Sequence, residues 1–342
     1  MKICPLLSCA GLLFSVLLPI ASHADTSGQQ LAEQAGRGMV GAPAPRMILK
    51  TIEGDTIDLG ALYGKKAVYL KFWATWCTPC REQMPHFEHT YRTAGPDLAV
   101  IAVNAGFNDS LAEIQQYRQQ LGITMPIVLD DGTLGSAFNL RVTPQHIVVG
   151  RDGRIQYVGH LADQRLDQAL LAARNAGPTA QPLTGNVTRT EVMQYGIGDR
   201  LPDTAVKTLD GKRIPLATAN HHQATVLVFL SPWCESYLAT TRPALSASCR
   251  DAREQIEAAA KGSHVRWLGV ASGIWAASED LRKYQRQHNI RIPLVLDESG
   301  TLFRAFRVTN VPTILIADAS GRITQRIDSE NQQALHKALK EL

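Results

Sequence analysis

Two cysteines separated by two residues, Cys77 and Cys80, constrain this chain more than any other feature of its sequence. The apolar run before them, residues 68–72, is rich in β-type residues, and a helix-compatible stretch follows the pair. The sequence therefore predicts a strand that leads into two cysteines at a helix N-terminus. Unpaired N–H groups and a partial positive charge at that position favour the thiolate, which is the form that attacks disulfides.

A zinc site is the other interpretation of a Cys-x-x-Cys pair. The chain contains no second Cys-x-x-Cys that could complete four ligands, and the strand and helix around the pair favour a redox disulfide. The histidines that could act as ligands do not form a convincing metal set: His146, His160, His221 and His222. We therefore expect no metal and no cofactor.

The segment FWATWCTPCREQMP, which contains both cysteines, resembles the thioredoxin superfamily and its TlpA/ResA-like branch of bacterial envelope thiol–disulfide oxidoreductases. The resemblance covers roughly residues 40–175, and a weaker copy covers roughly residues 197–342. It implies an α/β fold of two tandem thioredoxin-like domains, each with a central mixed sheet flanked by helices. It also implies a reductase-like or isomerising role on exported proteins with disulfides or thiols, with an upstream membrane or periplasmic electron donor.

In a protein of this kind, Cys77 is expected to lie nearest solvent and to attack the substrate disulfide. Cys80, one turn further on, is expected to be more buried and to resolve the mixed disulfide. Pro144 matches the cis-proline of the superfamily, which would expose the backbone of Thr143 to a substrate strand. Trp76 is a candidate for the substrate surface.

Lys71 stands where many thioredoxins carry a buried carboxylate, and two interpretations remain open for it. Its ammonium group could lie beneath the disulfide and favour the thiolate. Alternatively, the side chain could extend along the protein to reach solvent.

The second half of the chain repeats the spacing of the first. The dipeptide at 233–234 parallels Trp76-Cys77, and Pro312 follows a phenylalanine by six residues, as Pro144 does. Spacing kept over such a length indicates duplication of one fold.

The repeat departs from the first copy at Tyr237, which occupies the place of Cys80 and removes the local disulfide. Cys234 could instead bond to Cys249, as a structural clamp or a second redox pair, or remain a lone thiol in a module that binds a partner. A continuous helix of fifteen residues spans about 22 Å, whereas a disulfide needs Cα atoms within about 7 Å. The bond therefore requires Arg242-Pro243 to break the helix.

Residues 1–24 have the pattern of a signal peptide, with Lys2, an apolar run at 12–20 and small residues before a cleavage site at Asp25. We expect export to the periplasm, with an uncleaved membrane anchor as the alternative. The predicted organisation continues with a poorly ordered lead, a first domain at 40–175, a linker at 176–190 and a second domain at 191–342. The net charge is +4 without a Lys/Arg block, so no nucleic-acid partner is expected.

Two other functions remain as alternatives. A thiol peroxidase shares the fold, but its P-x-x-x-[ST]-x-x-C signature is absent, since Leu70 and Trp73 stand seven residues before the two cysteines. A non-enzymatic metallochaperone or partner-docking adaptor is the other.

Overall fold

The computed structural model describes residues 23–177, 192–217, 223–261 and 264–328, together with Ala334, Lys337 and Ala338. It begins with helix α1, His23–Gly36, where the sequence predicts a poorly ordered lead. That prediction is wrong for this segment because α1 packs on the first domain: Ala32 and Ala35 are buried, and the Gln29 side chain accepts a hydrogen bond of 2.9 Å from the His160 N–H. The predicted leader and linker lie almost entirely outside the described residues.

A five-stranded sheet forms the centre of the first half. Its strands are β3 Ala67–Trp73, β4 Leu98–Asn104, β5 Ile127–Leu129, β6 Gln145–Val149 and β7 Ile155–Gly159, preceded by a hairpin of β1 Ile48–Lys50 and β2 Thr56–Asp58. The order across the sheet is β5-β4-β3-β6-β7. The first three are parallel, and β6 and β7 are antiparallel to their neighbours. Every residue of β3 is buried, so the strand that leads to the cysteines is held on both sides.

Helices cover both faces of this sheet. They are α2 Leu59–Leu62, α3 Thr78–Glu82, α4 Met84–Arg92, α5 Leu111–Leu121, α6 Thr133–Ala137 and α7 Gln164–Asn175. Residues 77–93 of the sequence predict one helix kinked at Pro85. The structure has two helices that meet at Gln83, because Pro85 lacks an N–H and its ring disfavours a continuous helix. The sequence indicates Ser110 as the N-cap of a helix over residues 110–121, and the structure confirms it, since Ser110 and Glu113 form a capping box at the start of α5.

The second half repeats this architecture. Its strands are β8 Ala205–Lys207, β9 Arg213–Pro215, β10 Thr225–Leu230, β11 Arg266–Ser272, β12 Leu294–Asp297, β13 Thr313–Ala317 and β14 Ile323–Asp328. Its helices are α8 Cys234–Thr241, α9 Pro243–Ala260, α10 Ser278–Gln287 and α11 Thr301–Ala305. The larger sheet has the order β12-β11-β10-β13-β14, which matches that of the first half. The predicted α/β fold with two tandem units and mixed sheets is thus confirmed.

The chain reverses direction between α8 and α9. Arg242 has a non-helical backbone, and Pro243 begins the next helix, where it needs no N–H donor. The reversal brings the Cα atoms of Cys234 and Cys249 to 6.2 Å, and the two residues are joined by a disulfide. The helix break that this bond requires is therefore present.

The two halves share one hydrophobic core. Phe107 of the first half packs against Trp233 and Phe303 of the second, with ring centroids 6.1 and 5.9 Å apart. The end of the first sheet at which the cysteines lie is therefore turned towards the second half. None of the helices in the described ranges is long and apolar enough to cross a bilayer.

Candidate active site

Cys77 and Cys80 form a disulfide at the junction of β3 and α3, with their Cα atoms 5.2 Å apart. Cys77 is the N-cap residue of α3, and its Sγ accepts a hydrogen bond of 3.2 Å from the Cys80 N–H. A donor aimed at this sulfur stabilises the thiolate when the disulfide is reduced. The local geometry therefore favours Cys77 as the nucleophile of the pair.

The loop before β6 lies directly beside this disulfide. The carbonyl oxygen of Thr143 is 3.2 Å from Cys77 Sγ, and the Thr143–Pro144 peptide bond is cis. Two contacts hold the loop: His160 Nδ1 lies 2.7 Å from the Pro144 oxygen, and the Gln145 side chain accepts a hydrogen bond of 3.0 Å from the Arg141 N–H. Polar backbone is thus fixed next to the reactive sulfur.

Lys71 is fully buried in β3, so the interpretation in which its side chain reaches solvent is wrong. Its Nζ lies 5.3 Å from the centre of the Phe87 ring of α4 and has no hydrogen-bond partner among the residues that the structure describes. Burial lowers the pKa of Lys71 to about 7. An ionisable side chain thus lies in the core against α4, the helix that follows the cysteine pair.

A buried histidine connects the sheet to the break between α3 and α4. His146 Nδ1 lies 2.8 Å from the Tyr69 hydroxyl, and His146 Nε2 lies 2.8 Å from Gln83 Oε1. Burial lowers the pKa of His146 well below its ordinary value, so the ring is neutral. The hydroxyl then donates to Nδ1 and Nε2–H donates to the amide oxygen. Both ring nitrogens are used in structural hydrogen bonds.

Both sulfurs of the pair are enclosed in this conformation. Cys77 is 1% exposed and Cys80 is fully buried. The expected order, with Cys80 the more buried of the two, is kept, but Cys77 is itself almost fully enclosed in this conformation. Trp76 is also buried: its ring stacks on Trp233 at 4.9 Å, and its Nε1–H donates to the Phe107 carbonyl at 2.7 Å.

Polar contacts accompany this cover. The Tyr237 hydroxyl accepts a hydrogen bond of 3.0 Å from the Thr78 N–H, in the turn between the two cysteines. Trp275 donates through Nε1 to the Thr143 hydroxyl at 3.1 Å and through its backbone to the Arg141 carbonyl at 2.8 Å. The second half therefore contacts both the cysteine turn and the loop beside it.

A reciprocal contact lies on the other domain. The Asn108 N–H donates to the Thr309 carbonyl at 2.7 Å, and the Asn108 side-chain oxygen accepts from the Val311 N–H at 2.9 Å. Val311 precedes Pro312, and this peptide bond is cis like the one before Pro144. The loop after β4 and the loop after β11 thus each bind the proline loop of the opposite domain.

An arginine at the α8–α9 reversal strengthens this interface. Arg242 contacts the Asp109 carboxylate at 3.2 Å, the Glu113 carboxylate at 2.6 Å and the Thr75 hydroxyl at 2.6 Å. The Asp109 side chain is fully enclosed. Sequence patterns did not single out Arg242, Asp109 or Trp275 as site residues, since a contact between domains leaves no periodic signal in either one.

The second disulfide occupies the matching place in the second domain. Cys234 begins α8 directly after the turn that follows β10, and it is fully buried. Cys249 Sγ lies 3.8 Å from the Val311 carbonyl oxygen. No group of three or more His, Cys, Asp or Glu residues in the described ranges is arranged to hold a metal ion, and His221 and His222 lie outside those ranges.

A disulfide between a central strand and a helix, in a sheet of this order, defines the thioredoxin-like class of α/β protein. The profile of the AhpC/TSA family matches residues 40–158 and again residues 197–326, so the chain belongs to the AhpC/TSA family. The chain is 34% identical over 133 residues to the thioredoxin-like protein YneN of Bacillus subtilis. The aligned region covers 38% of this chain and 78% of YneN.

Two further relatives carry names that describe thiol chemistry. The thiol-disulfide oxidoreductase ResA of Halalkalibacterium halodurans is 34% identical over 132 residues, or 37% of this chain and 73% of ResA. A solved thiol:disulfide interchange protein from Chlorobium tepidum is 28% identical, covers 39% of this chain and 97% of its own, and has a TM-score of 0.35. Because its sequence relatives include thiol–disulfide oxidoreductases and it carries the cysteine pair, the chain is an enzyme of the thiol–disulfide oxidoreductase class.

Proposed function

We propose that the chain reduces or isomerises disulfides in exported proteins through Cys77 and Cys80. One observation carries this proposal: Cys77 Sγ accepts the Cys80 N–H and lies 3.2 Å from the Thr143 carbonyl. The hydrogen bond favours a thiolate, and the neighbouring backbone offers a place for an extended substrate strand. These are the two requirements of a thiol that must attack a disulfide in another polypeptide.

The reaction begins from the reduced pair. The Cys77 thiolate attacks one sulfur of the substrate disulfide, and the other substrate sulfur leaves as a thiolate. The Cys80 thiol, deprotonated as it reacts, then attacks Cys77 Sγ in the mixed disulfide and releases the second substrate sulfur. Two electrons pass to the substrate, and the oxidised Cys77–Cys80 pair is restored by a dithiol of an upstream membrane or periplasmic donor.

The leader at 1–24 supports a periplasmic location for this chemistry. Disulfides form and persist in exported proteins, so substrates of the proposed class are found there.

Enclosure of the pair adds a condition to this function. With Cys77 1% exposed, a protein substrate has no direct approach to its sulfur. Trp275 already bonds the Thr143 hydroxyl and the Arg141 carbonyl beside it. We therefore propose that the second domain moves away before a protein substrate binds, and that the enclosed form is the resting state.

Insulin reduction by the full-length protein tests the proposal. Cys77→Ser is expected to abolish activity, because no sulfur remains to form the mixed disulfide. The paired variant Cys234→Ser/Cys249→Ser is the control and is expected to retain most of it. Unchanged insulin reduction and unchanged refolding of a scrambled protein by Cys77→Ser would show that the first domain is not the enzyme.

A further inference from the structure

The second disulfide occupies the active-site position of a domain that lacks Cys-x-x-Cys. Cys234 follows β10 and begins α8, as Cys77 follows β3 and caps α3. The partner sulfur comes from Cys249, fifteen residues later, on α9. The duplication has therefore kept a disulfide at this place although the local partner is replaced by Tyr237.

The two sulfurs have exchanged places relative to the proline loop. In the first domain the attacking sulfur, Cys77 Sγ, lies 3.2 Å from the carbonyl that precedes Pro144. In the second domain it is Cys249 Sγ that lies 3.8 Å from the carbonyl preceding Pro312. Cys234 Sγ faces the Leu245 carbonyl at 3.9 Å instead. Cys249 thus stands where an incoming thiol would react.

Cys249 also has the better access of the pair. It is 9% exposed, whereas Cys234 is fully buried. A cavity of about 30 Å³ between α9, α10 and the sheet borders Cys249. Its lining also includes Pro312, Val228, Ile256, Arg253 and Tyr284. A thiol that reaches this disulfide from the cavity therefore meets Cys249 rather than Cys234.

The α8–α9 hairpin has other bonds that hold it closed. Arg253 of α9 forms a bidentate pair with Glu235 of α8 at 2.8 and 3.0 Å, and the Ser246 hydroxyl donates to the Glu235 carbonyl at 2.6 Å. The Tyr284 hydroxyl donates to the same carboxylate at 2.8 Å. Because the Arg253 and Ser246 contacts join α8 and α9 independently of the sulfurs, the disulfide can open without separation of the two helices.

We propose that Cys234–Cys249 is a second redox centre, which exchanges with thiols through Cys249. An incoming thiolate attacks Cys249 Sγ, a mixed disulfide forms there, and Cys234 leaves as a thiolate. A second thiol then attacks the incoming sulfur, so that two thiols become one disulfide and Cys234 and Cys249 become a dithiol. The reverse sequence reduces a disulfide, and both directions move two electrons.

The experiment isolates this pair in the full-length protein with Cys77→Ser/Cys80→Ser, so its result does not depend on the proposed function of the first domain. The protein is equilibrated in buffers of reduced and oxidised glutathione, alkylated and mapped by mass spectrometry. We expect the fraction of reduced Cys234 and Cys249 to follow the buffer ratio while circular dichroism stays unchanged. A pair that remains oxidised across the whole series in the folded protein would be a clamp and would overturn the proposal.

Single variants in the same background identify the attacked sulfur. With Cys234→Ser, the remaining Cys249 is expected to form a mixed disulfide about tenfold faster than Cys234 does with Cys249→Ser. The rates are measured once with oxidised glutathione and once with a peptide disulfide. Their difference shows whether the site prefers a low-molecular-weight partner or an extended polypeptide. Equal rates for the two cysteines, or a faster Cys234, would overturn the assignment of Cys249.

Discussion

Lys71 is a buried lysine at the centre of the first sheet, and its Nζ has no hydrogen-bond partner in the part of the chain that the structure describes. Burial lowers its pKa from an ordinary 10.5 to about 7. Between these two pH values the unfolded chain binds more protons than the folded chain, so stability rises with pH. The cost of the buried charge is therefore fully present below pH 7 and is lost as the pH approaches 10.5.

We predict that Lys71→Met stabilises the oxidised protein at pH 6, by up to about 5 kcal/mol from the depressed pKa, and that the gain shrinks towards pH 10. Urea unfolding at a series of pH values measures it. The control is Lys65→Met, because Lys65 is exposed in the turn before β3. A gain that is equal at every pH would show that removal of charge is not its cause.

The reduced protein tests whether Lys71 also acts on the thiols. Its Nζ lies 5.3 Å from the Phe87 ring of α4, the helix that follows the cysteine pair. If the ammonium group acts on the pair, it favours the thiolate form of Cys77. We predict that Lys71→Met slows alkylation of reduced Cys77 at pH 6 by about tenfold, equivalent to roughly one pH unit of thiol titration. An unchanged alkylation rate in the folded variant would assign Lys71 a packing role only.

The α8–α9 hairpin shows which features of an element can be predicted from the sequence and which cannot. Pro243 predicts the break that a Cys234–Cys249 bond needs, since a proline ends the preceding helix and begins the next. What the sequence could not show is that Arg242, at the same break, reaches across to the buried Asp109 carboxylate. The first property is local, and the second depends on how two folded surfaces meet.

Arg242→Ala tests that contact. It leaves the Asp109 carboxylate enclosed without its cation, which we expect to weaken the interface by roughly 1–3 kcal/mol, less than for a fully buried pair because Arg242 is 23% exposed. Insulin reduction should then rise several-fold, while reduction of a small disulfide such as hydroxyethyl disulfide rises less. Arg250→Ala, on an exposed part of α9, is the control. If Arg242→Ala weakened the interface but insulin reduction stayed at the wild-type rate, the enclosure by the second domain would not limit the access of protein substrates to Cys77.

The strands and the duplication could be predicted because their signals repeat along the chain. The apolar runs at residues 98–104 and 127–129 predict strands, and the structure has strands over the same residues. The spacing from phenylalanine to proline recurs in both halves. The docking loops gave no such signal. Asn108 and Trp275 take left-handed backbone angles, φ 54° and 56°, at the points where they bind the other domain. Such angles are uncommon in residues other than glycine and are set by the tertiary contact.

At the scale of the whole molecule, the two domains face each other through their proline loops. The loop after β4 and the loop after β11 each donate a backbone N–H to the proline loop of the opposite domain. The donors are Asn108 in the first domain and Trp275 in the second. The enclosure of Cys77 is thus one side of a nearly symmetric arrangement, in which each domain contacts the proline loop of the other, and in the first domain this is the surface where we propose that a substrate binds.

Trp275→Ala tests this competition. It removes the indole donor to the Thr143 hydroxyl and the ring against His160, so a protein substrate no longer displaces them. We predict a several-fold lower KM for insulin with little change in kcat. A fall in kcat at constant KM would instead indicate that Trp275 takes part in the reaction.

The central claim is that Cys77 forms the bond to substrate in the full-length enzyme. Its most direct test is to trap the intermediate with Cys80→Ser, which cannot resolve the mixed disulfide, and to map the linkage to an oxidised protein substrate by mass spectrometry. The account predicts a substrate cysteine joined to Cys77. A linkage at Cys234 or Cys249 alone, or no linkage while the wild-type protein is active, would contradict it.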